Sequence, residues 1–153
     1  MKIELSHTYP MSRERLWDLL HDATRMAKWI PGCEKLEAVG PDRYAATLKV
    51  GVAAIKGTYT GHVQISEKEF PSRYVLSVEG SAAPGFVRGT ATMELSSRED
   101  GRTVLTVRAD GHVGGLIASV GQRFLNGIAS HLTGQLLLNI EQEALRLIEV
   151  GQR

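Results

Sequence analysis

The stretch Gly115–Glu149, GLIASVGQRFLNGIASHLTGQLLLNIEQEALRLIE, decides how the rest of the chain is read. It lies in the longest proline-free part of the sequence, and Val120, Phe124, Ile128 and Leu132 follow Leu116 and Ile117 at helical steps of three and four. That spacing puts them on one face of a helix. Gly114-Gly115 supplies a flexible entry and Gly151 a stop. The pattern predicts one helix over 115–149, roughly 50 Å long at about 1.5 Å per residue, enough to cross a small sheet. After Gly134 the apolar positions move to Leu137, Ile140, Ala144, Leu147 and Ile148. Either the helix bends at Gly134, or its last turns are buried against a second surface: the two short helices described next, or another subunit in a homodimer.

Upstream, the period is two. Ile3, Leu5, His7 and Tyr9 alternate with polar residues up to Pro10, a half-buried strand. Ser12 and Asp22 are N-caps for two short helices, the first with Leu16, Trp17, Leu19 and Leu20, the second with Met26, Ala27 and Ile30 before the Pro31-Gly32 turn. From Lys35 on, alternation returns in segments through Tyr44–Val50, Ile55–Ile65, Tyr74–Val78, Val87–Leu95 and Leu105–Ala109, separated by turn signals at Pro71, Pro84-Gly85 and Asp100-Gly101. Short turns imply antiparallel neighbours. The expected fold is α+β: a curved antiparallel sheet of six or seven strands around a long C-terminal helix, with two short helices after the first strand. Glycines inside strands are expected to mark bulges that let the sheet bend. The whole chain, 1–153, reads as one domain.

Composition narrows the function. Eighteen basic against seventeen acidic residues give no general electrostatic reason to bind nucleic acid. A single cysteine, Cys33, forms no internal disulfide and suits a reducing cytoplasm. No apolar run reaches the ~18 residues of a membrane span, which leaves peripheral attachment as the membrane option. Gly-rich phosphate loops, Cys/His metal spacings and nucleophile elbows are missing, so the sequence names no metal, no cofactor and no catalytic residue. Gly114-Gly115 reads as a turn before it reads as an anion site, and Cys33 as structural before reactive.

Two features remain. His131 and Gln135 share a helix face near Phe124 and Ile128, where they either bond a ligand's polar head or satisfy strand backbone in an ordinary core. On strand faces bearing Tyr59, Val63, Met93 and Val107 stand Gly57, Gly61, Gly89, Ala91 and Ala109. These small residues either leave a pocket under the helix or serve close packing and curvature.

Four segments carry a family resemblance: Trp17…Leu20-x-Asp22, Trp29-Ile30-Pro31-Gly32-Cys33-Glu34, Lys56-Gly57-Thr58-Tyr59-Thr60-Gly61, and Gly114-Gly115-Leu116-Ile117-Ala118-Ser119-Val120-Gly121-Gln122-Arg123. Over about Lys2 to Ile148 the chain resembles the carbon monoxide dehydrogenase G-subunit family, within the START-like (SRPBCC, Bet v 1-like) helix-grip superfamily. The resemblance implies an apolar cavity between sheet and helix, and an accessory role to a carbon monoxide dehydrogenase or related molybdenum hydroxylase, aiding its membrane recruitment, its maturation or its connection to quinone. It implies a hydrophobic small molecule or quinone as ligand. A carrier of that kind predicts a pocket lined by Trp29, Ile30, Tyr59, Phe86, Met93, Phe124 and Ile128, with His131 and Gln135 as polar contacts and Trp29 and Ile30 at the mouth. Many members carry a hydrophobic C-terminal tail. This chain ends at Arg153 without one, so the expected location is the cytoplasm, with peripheral contact at the inner membrane face. The alternative on the same fold is a cyclase- or hydratase-type enzyme acting on a hydrophobic molecule, with His131 as its acid/base.

Overall fold

The computed structural model describes residues 1–52 and 55–151. Among them, seven strands form one antiparallel sheet: β1 (Lys2–Tyr9), β2 (Cys33–Gly40), β3 (Arg43–Val50), β4 (Gly57–Glu69), β5 (Arg73–Ala82), β6 (Gly85–Ser97) and β7 (Thr103–Gly114). Their spatial order is β1-β7-β6-β5-β4-β3-β2. The short helices α1 (Arg13–His21) and α2 (Ala23–Trp29) follow β1, and α3 (Gln122–Gly151) lies last. This is the α+β arrangement the patterning predicts. Both caps form as well: Ser12 Oγ accepts from Arg15 N at 3.2 Å, and Asp22 Oδ1 from Thr24 N at 3.0 Å. The Thr24 hydrogen bonds hold the Asp22 carboxyl below its ordinary pKa.

The inner face of the sheet is uneven. At one end Tyr9, Tyr74, Met93, Leu95 and Leu105 are all at most 2% exposed and pack with α1, α2 and the second half of α3. Trp17 stacks on His21 there at 4.2 Å, with the Tyr74 ring edge-on to His21 at 4.4 Å. Burial lowers the His21 pKa. At the other end the same faces carry Gly61, Gly80, Gly89, Ala91 and Ala109, facing one another across the ladder as Gly61↔Gly80, Leu76↔Ala91 and Ala91↔Ala109.

Apart from Gly40 at the end of β2, the strand glycines do not mark the bulges. Register shifts fall at Cys33/Lys35, Ala38/Gly40 and Ser66/Glu69, and the last is made by Glu67 at φ +50°. Gly61 serves a close approach instead. A Cβ there would lie 1.8 Å from the Glu79 carbonyl oxygen, so β4 and β5 come together as no side-chain-bearing residue would allow.

The single helix expected over 115–149 is two pieces. Residues Gly115–Val120 form a 3₁₀ helix, Gly121 turns at φ +98°, and α3 begins at Gln122. Ile117 N donates to Pro84 O at 2.9 Å, which ties the 3₁₀ segment to the β5–β6 turn. The chain must therefore change direction before a long helix can cross the sheet. At Gly134, by contrast, α3 runs through without interruption. The shift of its apolar stripe follows a change of neighbour: Leu125 and Ile128 pack with Ile55 and Ile117, whereas Leu137, Ile140 and Ala144 pack with the cluster that holds α1 and α2.

Three polar contacts fix the far half of α3. Tyr9 Oη donates to the Leu137 carbonyl at 2.7 Å, and Asn139 Nδ2 to the Trp29 carbonyl at 3.3 Å. Glu143, 2% exposed, meets Arg25 at 3.5 Å and also pairs with Arg146. A carboxylate that deep needs such partners.

Two paired substitutions test this description by chemical denaturation. Tyr9→Phe removes a buried hydrogen bond and is expected to cost about 1 kcal/mol. Tyr74→Phe removes a buried hydroxyl with no partner among the described residues and is expected to be neutral or stabilising. Across the glycine pair, Gly61→Ala is expected to cost at least about 2 kcal/mol. Gly80→Ala, whose Cβ would meet neighbours no closer than 3.6 Å, is expected to cost much less.

Candidate functional site

Buried apolar side chains fall into two clusters rather than one. The larger spans α1, α2, the far half of α3 and the bulky end of the sheet. The smaller is built on Ile55, Ile117 and Leu125, with Val50, Val52, Val87, Val113 and Ile128 packed around them. It closes the other end of the sheet with Val50, Val52 and Ile55, the 3₁₀ helix and the start of α3. Most domains have one contiguous core. Here the interruption is a cavity of about 280 Å³ whose wall takes residues from both clusters: Met26, Trp29, Ile30 and Leu76 from the first, Val50, Ile55, Ile117 and Leu125 from the second. Leu132, Leu136 and Ala129 of α3 form its roof, and Gly61 and Gly80 part of its floor. Val78 also lines it and alternates in step with the buried Tyr74 and Leu76, yet 43% of its surface is accessible. Gly89, across the ladder from it, leaves part of that space unfilled.

The wall is chemically plain. Its side chains are aliphatic or aromatic, except that Thr60, His62 and Glu79 adjoin it from strand positions whose side chains alternate to the outer face. His62 Nδ1 there lies 3.5 Å from Glu79 Oε1. Tyr59 turns its hydroxyl to the Ile55 carbonyl at 2.7 Å, and burial raises its pKa. Trp29 Nε1 is buried with no acceptor among the described residues.

The nine residues proposed from sequence divide. Trp29, Ile30, Tyr59 and Ile128 stand on the cavity wall. Trp29 is fully buried at the end of α2, so it belongs to the inner wall and not to a mouth. Met93 is 1% exposed within the larger cluster, away from the cavity. Phe86 is 42% exposed on the outer face, its ring over Gly114 and 5.8 Å from the Arg88 guanidinium carbon. Its alternation with Val87 and Met93 already places it on the opposite face from both. Phe124 is 45% exposed.

His131 and Gln135 are exposed along a shallow groove between β1 and α3, lined also by Leu5, His7 and Leu138. Gln135 Nε2 donates to Asn139 Oδ1 at 2.9 Å. The expectation that these two point into a cavity is corrected by the break at Gly121. Phasing α3 from Leu125 puts Ile128, Ala129, Leu132 and Leu136 inward, and His131 about 100° away from Leu132. Of the wall residues left out of the sequence reading, Leu125, Ala129 and Leu136 become legible once the helix is started at Gln122. Val50, Val87 and Val113 follow from strand parity. Cys33 is half-buried and its pKa is raised by burial, the opposite of an activated thiol.

Among the described residues no group of three or more His, Cys, Asp or Glu side chains is placed to hold a metal ion, and no helix is long and apolar enough to cross a membrane. No match was found among curated proteins. Among solved structures, an aromatase/cyclase (Zhui) from Streptomyces sp. R1128 shares the fold at 19% identity, with a TM-score of 0.69 over 97% of this chain and 95% of that one. A START superfamily protein from Mycobacterium smegmatis shares it at 11% identity, with a TM-score of 0.77 over 95% and 98%. A conserved protein from Geobacillus kaustophilus is 34% identical, with a TM-score of 0.91 over 95% of this chain and 96% of that one. Residues 8–145 match the family described as the carbon monoxide dehydrogenase G-subunit (CoxG), and the chain belongs to that family.

Proposed function

We propose that this protein is a non-catalytic carrier of a lipophilic ligand of the quinone class, serving a carbon monoxide dehydrogenase or a related molybdenum hydroxylase in the cytoplasm and at the inner face of the membrane. The observation that carries the reading is the apolar cavity between the two hydrophobic clusters. A cavity of about 150 Å³ lined by aliphatic and aromatic side chains stays dry and accepts benzene, so about 280 Å³ suits a one- or two-ring head group. No lysine or arginine lines the wall, and the Met1 ammonium is held by the Gly111 carbonyl and Asp110, so a carboxylate or phosphate would be stranded there, and this favours a neutral ligand. Trp29, Ile30, Tyr59 and Ile128 are the ligand contacts retained from the sequence reading; Leu125, Ala129 and Leu132 join them. Family membership supports the choice of enzyme served.

The carrier reading is also favoured over a cyclase-type enzyme by the bonding of the wall. General acid–base catalysis needs a titrating group within reach of the reacting atoms. The Tyr59 hydroxyl is committed to the Ile55 carbonyl, and His62 and Glu79 face the other side of the sheet.

Ala129→Phe puts a ring into the roof of the cavity. It is expected to weaken binding of a naphthoquinone, followed by quenching of tryptophan fluorescence, at least about tenfold, or ~1.4 kcal/mol, with the folded state retained. Undiminished affinity would place the ligand elsewhere. Conversion of the quinone to a new product by the purified protein alone would favour the enzyme.

A further inference from the structure

The face of α3 turned away from the cavity carries a pattern of its own. Phe124, His131, Leu138 and Leu145 follow one another at intervals of seven residues. Phe124 is 45% exposed, Leu138 49% and Leu145 51%, and His131 is exposed as well. Three residues after the first three of them stand Gly127, Gly134 and Glu141. A seven-residue step turns a helix through nearly two whole turns, so these positions form one narrow stripe. At about 100° per residue it lies on the opposite side of α3 from Ile128, Ala129, Leu132 and Leu136, which border the cavity.

Packing within the chain does not account for the two glycines. A Cβ at Gly127 or at Gly134 would meet nothing within 4 Å, so no neighbour requires either to be small. Each disfavours the helix relative to alanine. A glycine on an exposed helix face does, however, let another molecule come close to the backbone. Large apolar side chains that lack cover, and seats with room for them, thus share one stripe and one repeat.

We infer that α3 pairs through this stripe with α3 of a second copy of the chain, antiparallel, about a two-fold axis at the level of Leu136. In that register Leu138 faces Gly134 of the second copy, and Leu145 faces its Gly127. His131 faces Glu141, which His7 Nε2 approaches from within its own chain at 3.4 Å, and Arg123 faces Glu149. Arg146 faces Asn126, so no like charges oppose each other. The two-fold makes every one of these contacts twice. A parallel pair would instead set Glu141 on Glu141 and glycine on glycine. The stripe therefore supplies its own knobs, seats and opposite charges, which singles out a second copy as its occupant. It measures about 36 Å by 10 Å, at the small end for protein interfaces, so the dimer is expected to come apart on dilution. Nothing in the pairing depends on what the cavity holds.

The test is sedimentation equilibrium of the full chain, with oxidative cross-linking of cysteine variants in a Cys33→Ser background. The native protein is expected to form a dimer that dissociates on dilution. Leu138→Glu/Leu145→Glu, and Gly134→Met, which fills a seat, are each expected to weaken it at least about tenfold while keeping the native circular dichroism spectrum. Gly127→Cys/Leu145→Cys is expected to give a disulfide-linked dimer. Within one chain those two positions lie about 27 Å apart along α3, beyond the reach of a disulfide. Neither single cysteine variant is expected to cross-link, because each faces an unsubstituted residue of the second copy. The inference is overturned if the native chain stays monomeric up to about 1 mM, or if Leu138→Glu/Leu145→Glu leaves a native dimer intact. Cross-linking of a single cysteine variant overturns it in favour of a parallel pair. A monomeric native chain that co-elutes with the dehydrogenase, where Leu138→Glu/Leu145→Glu does not, gives the stripe to that enzyme instead.

Discussion

The hydrogen bond from Tyr9 to the Leu137 carbonyl, 2.7 Å long and buried, sets where α3 crosses the sheet. Around it the structure is filled. Tyr74, Met93 and Leu105 occupy the sheet face, Leu137, Ile140 and Ala144 the helix face, and the pairing of Glu143 with Arg25 and Arg146 closes the α2 side. Close packing at that end makes up for its absence at the other. A helix anchored along its second half can hold its first half off a floor of glycines and alanines, because the anchored half already fixes its direction. The cavity is thus a consequence of unequal side-chain sizes along one sheet, at native packing density elsewhere.

The same unevenness explains why the two clusters do not merge. Leucines or valines at 61, 80, 89, 91 and 109 would join them into one core. At position 61 the backbone of β5 forbids any side chain. The alternatives that the small residues left open, room for a pocket or closeness for curvature, are therefore both realised. Gly61 lets β4 and β5 approach, and Gly80, which has ordinary room for a Cβ, stands beside it on the cavity floor.

Period-two and period-three-to-four patterning made the architecture readable, together with the caps at Ser12 and Asp22, because each of those signals is local. The site was less readable for a specific reason. Gly121 reads as one weak residue inside a continuous stripe, but its φ of +98° is imposed by a distant contact, the seating of Ile117 on Pro84. Phasing the stripe through it advanced the helix by about one residue. That moved Phe124, His131 and Gln135 inward and Leu125 outward. Phe86 differs: its strand parity is plain beside Val87 and Met93, and only its size suggests a pocket residue. Trp29 reads as a mouth residue, because nothing local to Trp29-Ile30-Pro31-Gly32 reveals that α3 meets it through Asn139.

Cavity and closure form one account: an apolar space between two clusters with room for one neutral apolar molecule. The most direct measurement of its central claim is native mass spectrometry of the protein purified gently from its own host, followed by organic extraction of what it carries. The account predicts one neutral apolar molecule of the quinone class per cavity, lost in the Ala129→Phe variant. A protein that is isolated empty, and that stays empty when offered quinones, would contradict it.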